Sequence, residues 1–279
     1  MANRTDLACE SYEQQEKTAL DGVIIRQTGD VTTVEVTNTQ GARALGKPVG
    51  RYITYHAVDS FDTAFSFESC VQTLSGLLLR LMPAGSGNVL VACLGNPLIT
   101  ADSIGPKVFQ NILATRHLQK TGALHGAFRS VSALSAGVLS QTGIESAEII
   151  AGVAAQTHPA CIIAVDALAA SSCTRLGTTV QISDSGIVPG SGVGNHRYEI
   201  SQKTLGVPVI AMGIPTVVET SVLVGELAGA AAEKAPGGVF VTPREIDRIT
   251  TLGARLVAMA INCALQPSFS LDEITSLLA

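Results

Sequence analysis

Three aspartates stand where an apolar, strand-like run gives way to polar chain, and a carboxylate placed there can serve as a general acid or base. Asp102 follows the run NVLVACLG through the turn Asn96-Pro97-Leu98-Ile99-Thr100-Ala101, at the start of a helical stretch. Asp166 directly terminates the run CIIAV. Asp184 follows TTVQIS and opens Asp184-Ser185-Gly186, the Asp-Ser/Thr-Gly tripeptide of ordinary aspartic peptidases. Ligands of open α/β sheets bind beyond the carboxyl ends of the strands, which places Asp102 and Asp166 first. Each also has a plain structural use, a helix N-cap for Asp102 and a partner for loop N–H groups for Asp166. Asp184 ranks below them, because ordinary aspartic peptidases are β-rich and use two such loops, whereas this chain has one in an α/β context.

Other chemistries lack their signals. The loop Pro189-Gly190-Ser191-Gly192-Val193-Gly194-Asn195 could offer a nest of backbone N–H groups to an anion or oxyanion, or be a turn that needs positive φ. Its GxGxG spacing is not a dinucleotide fingerprint, and no Walker A sequence is present. The five histidines show no HExxH or HxH spacing, so local zinc ligation is unsupported, although a mixed Asp/His site assembled across the fold stays open. No serine sits in a GxSxG elbow, and the six cysteines form no CxxC pair and read as reduced core residues.

The elements that must position these residues fall into two regimes. Residues 20 to 60 alternate apolar and polar (GVIIRQ, TTVEVTN, RYITYHA), the period-2 pattern of strands with one exposed face. From 88 onward, short continuous apolar runs (NVLVACLG, CIIAVDALA, TTVQIS, PVIAMGI) are separated by helical stretches, as in strands buried on both faces. The expected fold is therefore α/β, with a central, mostly parallel sheet flanked by helices and an N-terminal β-rich segment. Thr142-Gly143-Ile144-Glu145 has capping-box spacing ahead of SAEIIAGVAAQ, and PREIDRITTLGARLVAMAINCAL reads as one amphipathic helix. Residues 228–238 (AGAAAEKAPGG) read as a mobile connection.

Composition narrows the class of partner. With 18 Lys and Arg against 23 Asp and Glu, the net charge is -5, and 46% hydrophobic against 15% charged residues excludes a disordered chain. No basic stripe is available to displace phosphate counterions, so nucleic acid is not an expected direct ligand. The polar first seventeen residues contain no signal-like apolar core, and apolar runs such as 207–218 fall short of a bilayer span. A soluble, cytoplasmic protein with no membrane partner is expected.

Longer motifs converge on a family. RTDLACE (4–10), LGNPLITADSIGP (94–106), TRHL (115–118), SVSALSAGVLSQTGIESAEII (130–150), IIAVDALAASS (162–172) and TTVQISDSGIVPGSGVGN (178–195) together resemble the germination protease of endospore-forming bacteria. LGVPVIAMGIPTVV (205–218) and VTPREID (241–247) extend the match over essentially the whole chain. The resemblance implies an atypical aspartic-type endopeptidase, similar in fold to hydrogenase-maturation endopeptidases, whose GNPL-type turn is echoed by Gly95 to Leu98. It places the essential aspartates on Asp102 and Asp166, with no cofactor and no metal, and leaves Asp184 and Asn96 as secondary candidates. It further implies small acid-soluble spore proteins as substrates, cut at a Glu-apolar-Ala type sequence, and a homotetramer in the spore core. Because Asp6-Leu7-Ala8 is similar to that sequence, self-cleavage between Asp6 and Leu7 is expected, with residues 1–6 a short propeptide and 7–279 a single peptidase domain. The chain departs from relatives at Pro97, where many carry Trp, and is shorter than they are between the IPTVV segment and Val241. The alternatives are a metal-assisted maturation-type peptidase, and a non-catalytic anion- or nucleotide-binding module built on Gly190 to Gly194.

Overall fold

Alternate burial along β2 (Val31–Val36) and exposure of nearly all of β1 (Val23–Thr28) show why the N-terminal residues form a hairpin at the rim of a sheet. The hairpin turns at Gly29-Asp30, where Gly29 takes φ +55°, a left-handed conformation that glycine adopts without steric cost. The computed structural model describes residues 4–15, 20–57, 64–85, 87–121, 128–195, 197–228 and 238–278. Within them β3 (Gly50–His56), β4 (Val89–Leu94), β5 (Val131–Gly137), β6 (Cys161–Ala170), β7 (Thr179–Ser183), β8 (Val209–Glu219) and β9 (Phe240–Val241) complete one sheet in the order β1-β2-β3-β7-β8-β6-β4-β5, with β9 beside β8. The strands β5, β4, β6 and β8 run parallel, while β1, β2, β3 and β7 join antiparallel. The expected α/β sheet flanked by helices is thus present, and the N-terminal β-rich segment is part of the same sheet. The run TTVQIS, read with the parallel strands, pairs antiparallel as β7 on both sides.

Helices cover both faces. On one face, α3 (Ala64–Leu81), α4 (Ile104–Phe109), α10 (Ile246–Leu265) and α11 (Leu271–Leu278) pack on Val89, Val91, Ile163, Val165, Ile182 and Met212. α10, the expected long amphipathic helix, is apolar enough by length and composition to cross a bilayer, yet 67% of it is buried inside the fold, as befits a core helix. On the other face the core is split. α1 (Ala8–Glu13) and α2 (Thr39–Leu45) cover one apolar cluster with Val34, Leu168 and Val218, and α7 (Ser146–Thr157) covers a second with Leu90, Ile162 and Ala164. The small helices α5 (Arg116–Thr121), α6 (Leu139–Thr142), α8 (Gln202–Leu205) and α9 (Thr220–Ala228) fill the connections.

Two expectations change, and a third falls mostly outside the described residues. β6 continues four residues beyond Asp166, so this aspartate lies inside a strand, where its backbone pairs with Gly213 of β8. The capping box of α7 is formed by Glu145 and Glu148, because Gly143 in left-handed conformation ends the short α6 at Thr142 before α7 begins. Of the connection expected at 228–238, Ala228 belongs to α9, and 229–237 lie outside the described residues. The cysteines are all free; Cys9, Cys70, Cys93 and Cys161 are buried.

Candidate active site

The parallel strands create the crevice. From β4 the chain crosses by α4 to β5 on one side, then returns by α7 on the opposite face to β6 on the other side of β4. That reversal opens a gap between β4 and β6 at their carboxyl ends, the place where α/β sheets bind ligands. The last pairing between the two strands is Cys93↔Val165, and the next residue of β6 is Asp166. Asp166 keeps its position in the strand through β8 but has lost its neighbour on the β4 side, so its side chain lines the gap.

Asp102 reaches the same gap from the loop after β4. The loop tightens through a single helical turn, Thr100–Asp102, and the Asp102 carboxylate accepts the backbone N–H of Asn96 at 2.8 Å. Two glycines allow this closure. Gly95 has φ +109°, and a Cβ there would lie 2.1 Å from the carbonyl oxygen of Asp102; one on Gly105 would lie 2.0 Å from that of Leu94. The Asn96 side-chain oxygen accepts from Leu98 N and from Gln141 Nε2, which ties the loop to α6.

Asp102 and Asp166 line one cavity of about 350 Å³, with Asn96, Pro189, Gly190, Asn195 and Asp6. Asp166 is only 5% exposed. Burial raises its pKa well above the ordinary carboxylate value, the charge of Asp102 raises it further, and the Ala167 N–H it accepts at 2.9 Å opposes this only in part. Asp102 is half-buried; burial raises its pKa too, and the Asn96 N–H pulls it back. Of the two carboxyls, the more deeply buried Asp166 is the more strongly favoured to keep its proton.

The N-terminal segment lies against this pair. Asp6 adds to the edge of β6 beyond the dyad: its N–H donates to the carbonyl of Ala169 at 2.9 Å, and its carboxylate accepts the Ala169 N–H at 2.8 Å. Ser191 Oγ donates to the other carboxylate oxygen at 2.7 Å. The carbonyl of Asp6 accepts Gln181 Nε2 at 3.0 Å, while Gln181 Oε1 accepts the N–H of Ala8 at 2.8 Å, so one side chain grips the peptide groups on both sides of Leu7. Leu7 and Ala8 are fully buried. The register explains the placement. Asp166, Gly213 and Gln181 form one lateral row across β6, β8 and β7, and residues in register share a sheet face. Gly213 leaves the middle of the row empty; a Cβ there would come 2.6 Å from the Asp166 carbonyl and 2.7 Å from Leu168 Cγ. The charge of Asp6 also contributes to the raised pKa of Asp166.

The remaining candidates lie elsewhere or play structural parts. Asp184 is bound to Arg51, accepting its backbone N–H and its Nε, each at 2.7 Å, and so fastens β3 to the end of β7. Pro189, Gly190 and Asn195 of the glycine loop line the dyad cavity, and its Ser191 holds Asp6. His56 contacts Arg175, and His125 and His196 lie outside the described residues. Among the described residues no group of three or more His, Cys, Asp or Glu converges as a metal site. Sequence reasoning missed Gln181, and took Ser191 only as part of the glycine loop. The alternation Val180-Gln181-Ile182 did mark Gln181 as the residue facing away from the main core.

A buried carboxylate pair in the switch-point crevice of a helix-flanked sheet is the architecture of an α/β enzyme, and comparison with known proteins gives its class. A profile of the germination protease family matches residues 2–228. The germination protease of Caldanaerobacter subterraneus subsp. tengcongensis is 38% identical, over 99% of this chain and 98% of its own. That of Clostridium perfringens (strain ATCC 13124) is 34% identical over the same shares, and that of Priestia megaterium 44% identical over 77% of this chain and 63% of its own. Among solved structures, the NiFe hydrogenase maturation protease HycI from Thermococcus kodakarensis KOD1 is similar with 16% identity and a TM-score of 0.38, covering 66% of this chain and 98% of that one. The chain belongs to the germination protease family, and is an endopeptidase.

Proposed function

We propose that this endopeptidase starts the degradation of small acid-soluble spore proteins during germination, using Asp102 and Asp166 to activate water, and that it is made as a zymogen cut by itself between Asp6 and Leu7. The observation that carries the reading is the Asp102–Asp166 pair in one cavity with Asp6. In the reaction the ionised Asp102 takes a proton from water as the water oxygen attacks the Asp6 carbonyl carbon, and Asp166 gives its proton to the carbonyl oxygen. In the collapse of the tetrahedral intermediate Asp102 gives its proton to the Leu7 nitrogen, Asp166 recovers one from a hydroxyl of the intermediate, the C–N bond breaks, and the carboxylic acid left on Asp6 ionises to solvent. Substrate proteins would follow the same course at their own acidic-apolar-Ala sequences. The reading includes a homotetramer in the cytoplasm of the spore core.

The test is the intact mass of the full chain during incubation, beside the Asp102→Asn and Asp166→Asn variants, and cleavage of a small acid-soluble spore protein, each with and without chelator. Loss of residues 1–6 in the parent chain only, unaffected by chelator, is the expected result. Ordinary turnover by either variant would sink the dyad, and loss of activity on chelation would transfer the chemistry to a metal ion.

A further inference from the structure

The carboxylate of Asp6 fills a hollow built for it. Its donors are a hydroxyl, from Ser191, and a backbone N–H, from Ala169. Its floor is Gly192, where a Cβ would lie 2.2 Å from the carboxylate oxygen and 2.7 Å from the Ala169 methyl. Because two neutral donors can also satisfy an amide, since a serine hydroxyl can turn to accept, they do not by themselves distinguish an acid from its amide. The charge that can do so is Lys47. Its ammonium donates to the Thr5 carbonyl at 2.8 Å, one residue before Asp6, and it lines a second cavity of about 360 Å³ with Thr5, Asp6 and Ser191. Burial lowers the Lys47 pKa, and the negative charge of Asp6 is foremost in raising it again. Arg4 and Glu199 also line this cavity, and Asp166 lies within electrostatic reach of Asp6 on its other side. The carboxylate of Glu10 acts on Lys47 in the same sense as that of Asp6.

We propose that this hollow is the subsite that reads the acidic residue before the cut, with Ser191 and the Ala169 amide binding the carboxylate, Gly192 clearing room for it, and Lys47 selecting acid over amide. Asp6 occupies it in the uncut chain, and the acidic side chain of a substrate occupies it afterwards. The inference rests on the proposed cut at Asp6-Leu7, but its determinants are separable from the dyad.

The experiment measures kcat/KM for paired peptides differing only by Glu or Gln before a Leu-Ala sequence, with self-processed enzyme, and with Lys47→Met, Ser191→Ala and Gly192→Ala. The parent enzyme is expected to favour the acid by about 10-fold, the scale of an opposite charge a few ångströms beyond contact in a partly desolvated site. Lys47→Met should collapse that ratio towards one, Ser191→Ala should lower kcat/KM for the acid peptide, and Gly192→Ala should exclude both peptides. An unchanged ratio in Lys47→Met overturns the assignment. A second measurement needs no turnover. In full-length Asp166→Asn chain, Asp6→Asn should lower the thermal midpoint when Lys47 is present and much less in the Lys47→Met background. Equal shifts in both backgrounds would refute the subsite, whereas cleavage by the Asp166→Asn chain would refute the dyad and leave the subsite standing.

Discussion

At the scale of single residues, the crevice is defined by groups that the fold holds at a cost. Asp166 is a carboxyl withdrawn from water beside a second carboxyl, and its raised pKa is a statement about stability as well as chemistry. A folded-state pKa above the unfolded value of about 3.9 gives stability that is fully present below that value and is lost as pH rises through the folded pKa. At neutral pH the ionised form is therefore disfavoured in the fold. Asp166→Asn, neutral and of the same shape, should raise the thermal midpoint at pH 7 by a few degrees, with the gain shrinking towards pH 4; calorimetry across this range checks it. Gln181 is the other residue of consequence. It grips the Asp6 carbonyl with a hydrogen bond that would strengthen as negative charge develops on that oxygen. Gln181→Leu, followed by intact mass, should slow self-cleavage by about 10²- to 10³-fold, the usual loss on removing one oxyanion donor. Equal rates would mean that protonation by Asp166 suffices at that oxygen without Gln181.

At the scale of elements, the loop from β4 into α4 owes its shape to close backbone approach as well as to hydrogen bonding. Gly105→Ala would press a methyl onto the Leu94 backbone. Its expected cost is about 1–3 kcal/mol of stability, measured by denaturant unfolding, together with loss of peptidase activity as Asp102 shifts. This loop was legible beforehand, since Gly95, Asn96 and Pro106 punctuate it and Asp102 follows a buried strand. The continuation of β6 was not. The residues ALAA after Asp166 carry no alternation, and what makes them a strand is the Asp6 segment and β8 pairing alongside, contacts between chain regions more than 160 and about 50 residues apart. The same holds for α7, whose Thr142 cap was a sound local reading displaced by Gly143. Local spacing located both aspartates; the strand partners that bring Asp6 to them lie too far along the chain for periodicity to register.

At the scale of the whole molecule, the N-terminal segment is stitched to the sheet by charge as well as by burial. Glu10, a buried residue of α1, accepts the Ser171 N–H at 2.7 Å and pairs with Arg175 at 3.4 Å, and Arg175 also binds Glu13 at 2.8 Å. The same guanidinium donates to His56 Nε2 at 3.0 Å, which requires a neutral imidazole. Burial lowers the His56 pKa, Arg175 lowers it further, and Glu13 and Asp30 oppose them. A depressed folded pKa means that the unfolded chain takes up the proton first, so stability falls as pH drops below about 6.5. His56 therefore contributes a fall in the thermal midpoint between pH 7 and pH 5, against the opposite contribution of Asp166, and His56→Gln should make the midpoint less acid-sensitive than the parent's over that range; identical profiles would place no such contribution on His56.

Asp6 and Leu168 are common to both cavities, the one that holds the aspartate pair and the one that holds Lys47. Asp6 is thus a partition, and a cut after it loosens the partition itself. On the proposed cut, removal of residues 1–6 would leave the edge of β6 at Ala169, which Asp6 covers, free for another chain segment. An edge of that kind pairs only with extended backbone, so under this reading a substrate would have to offer an unfolded segment rather than a folded surface.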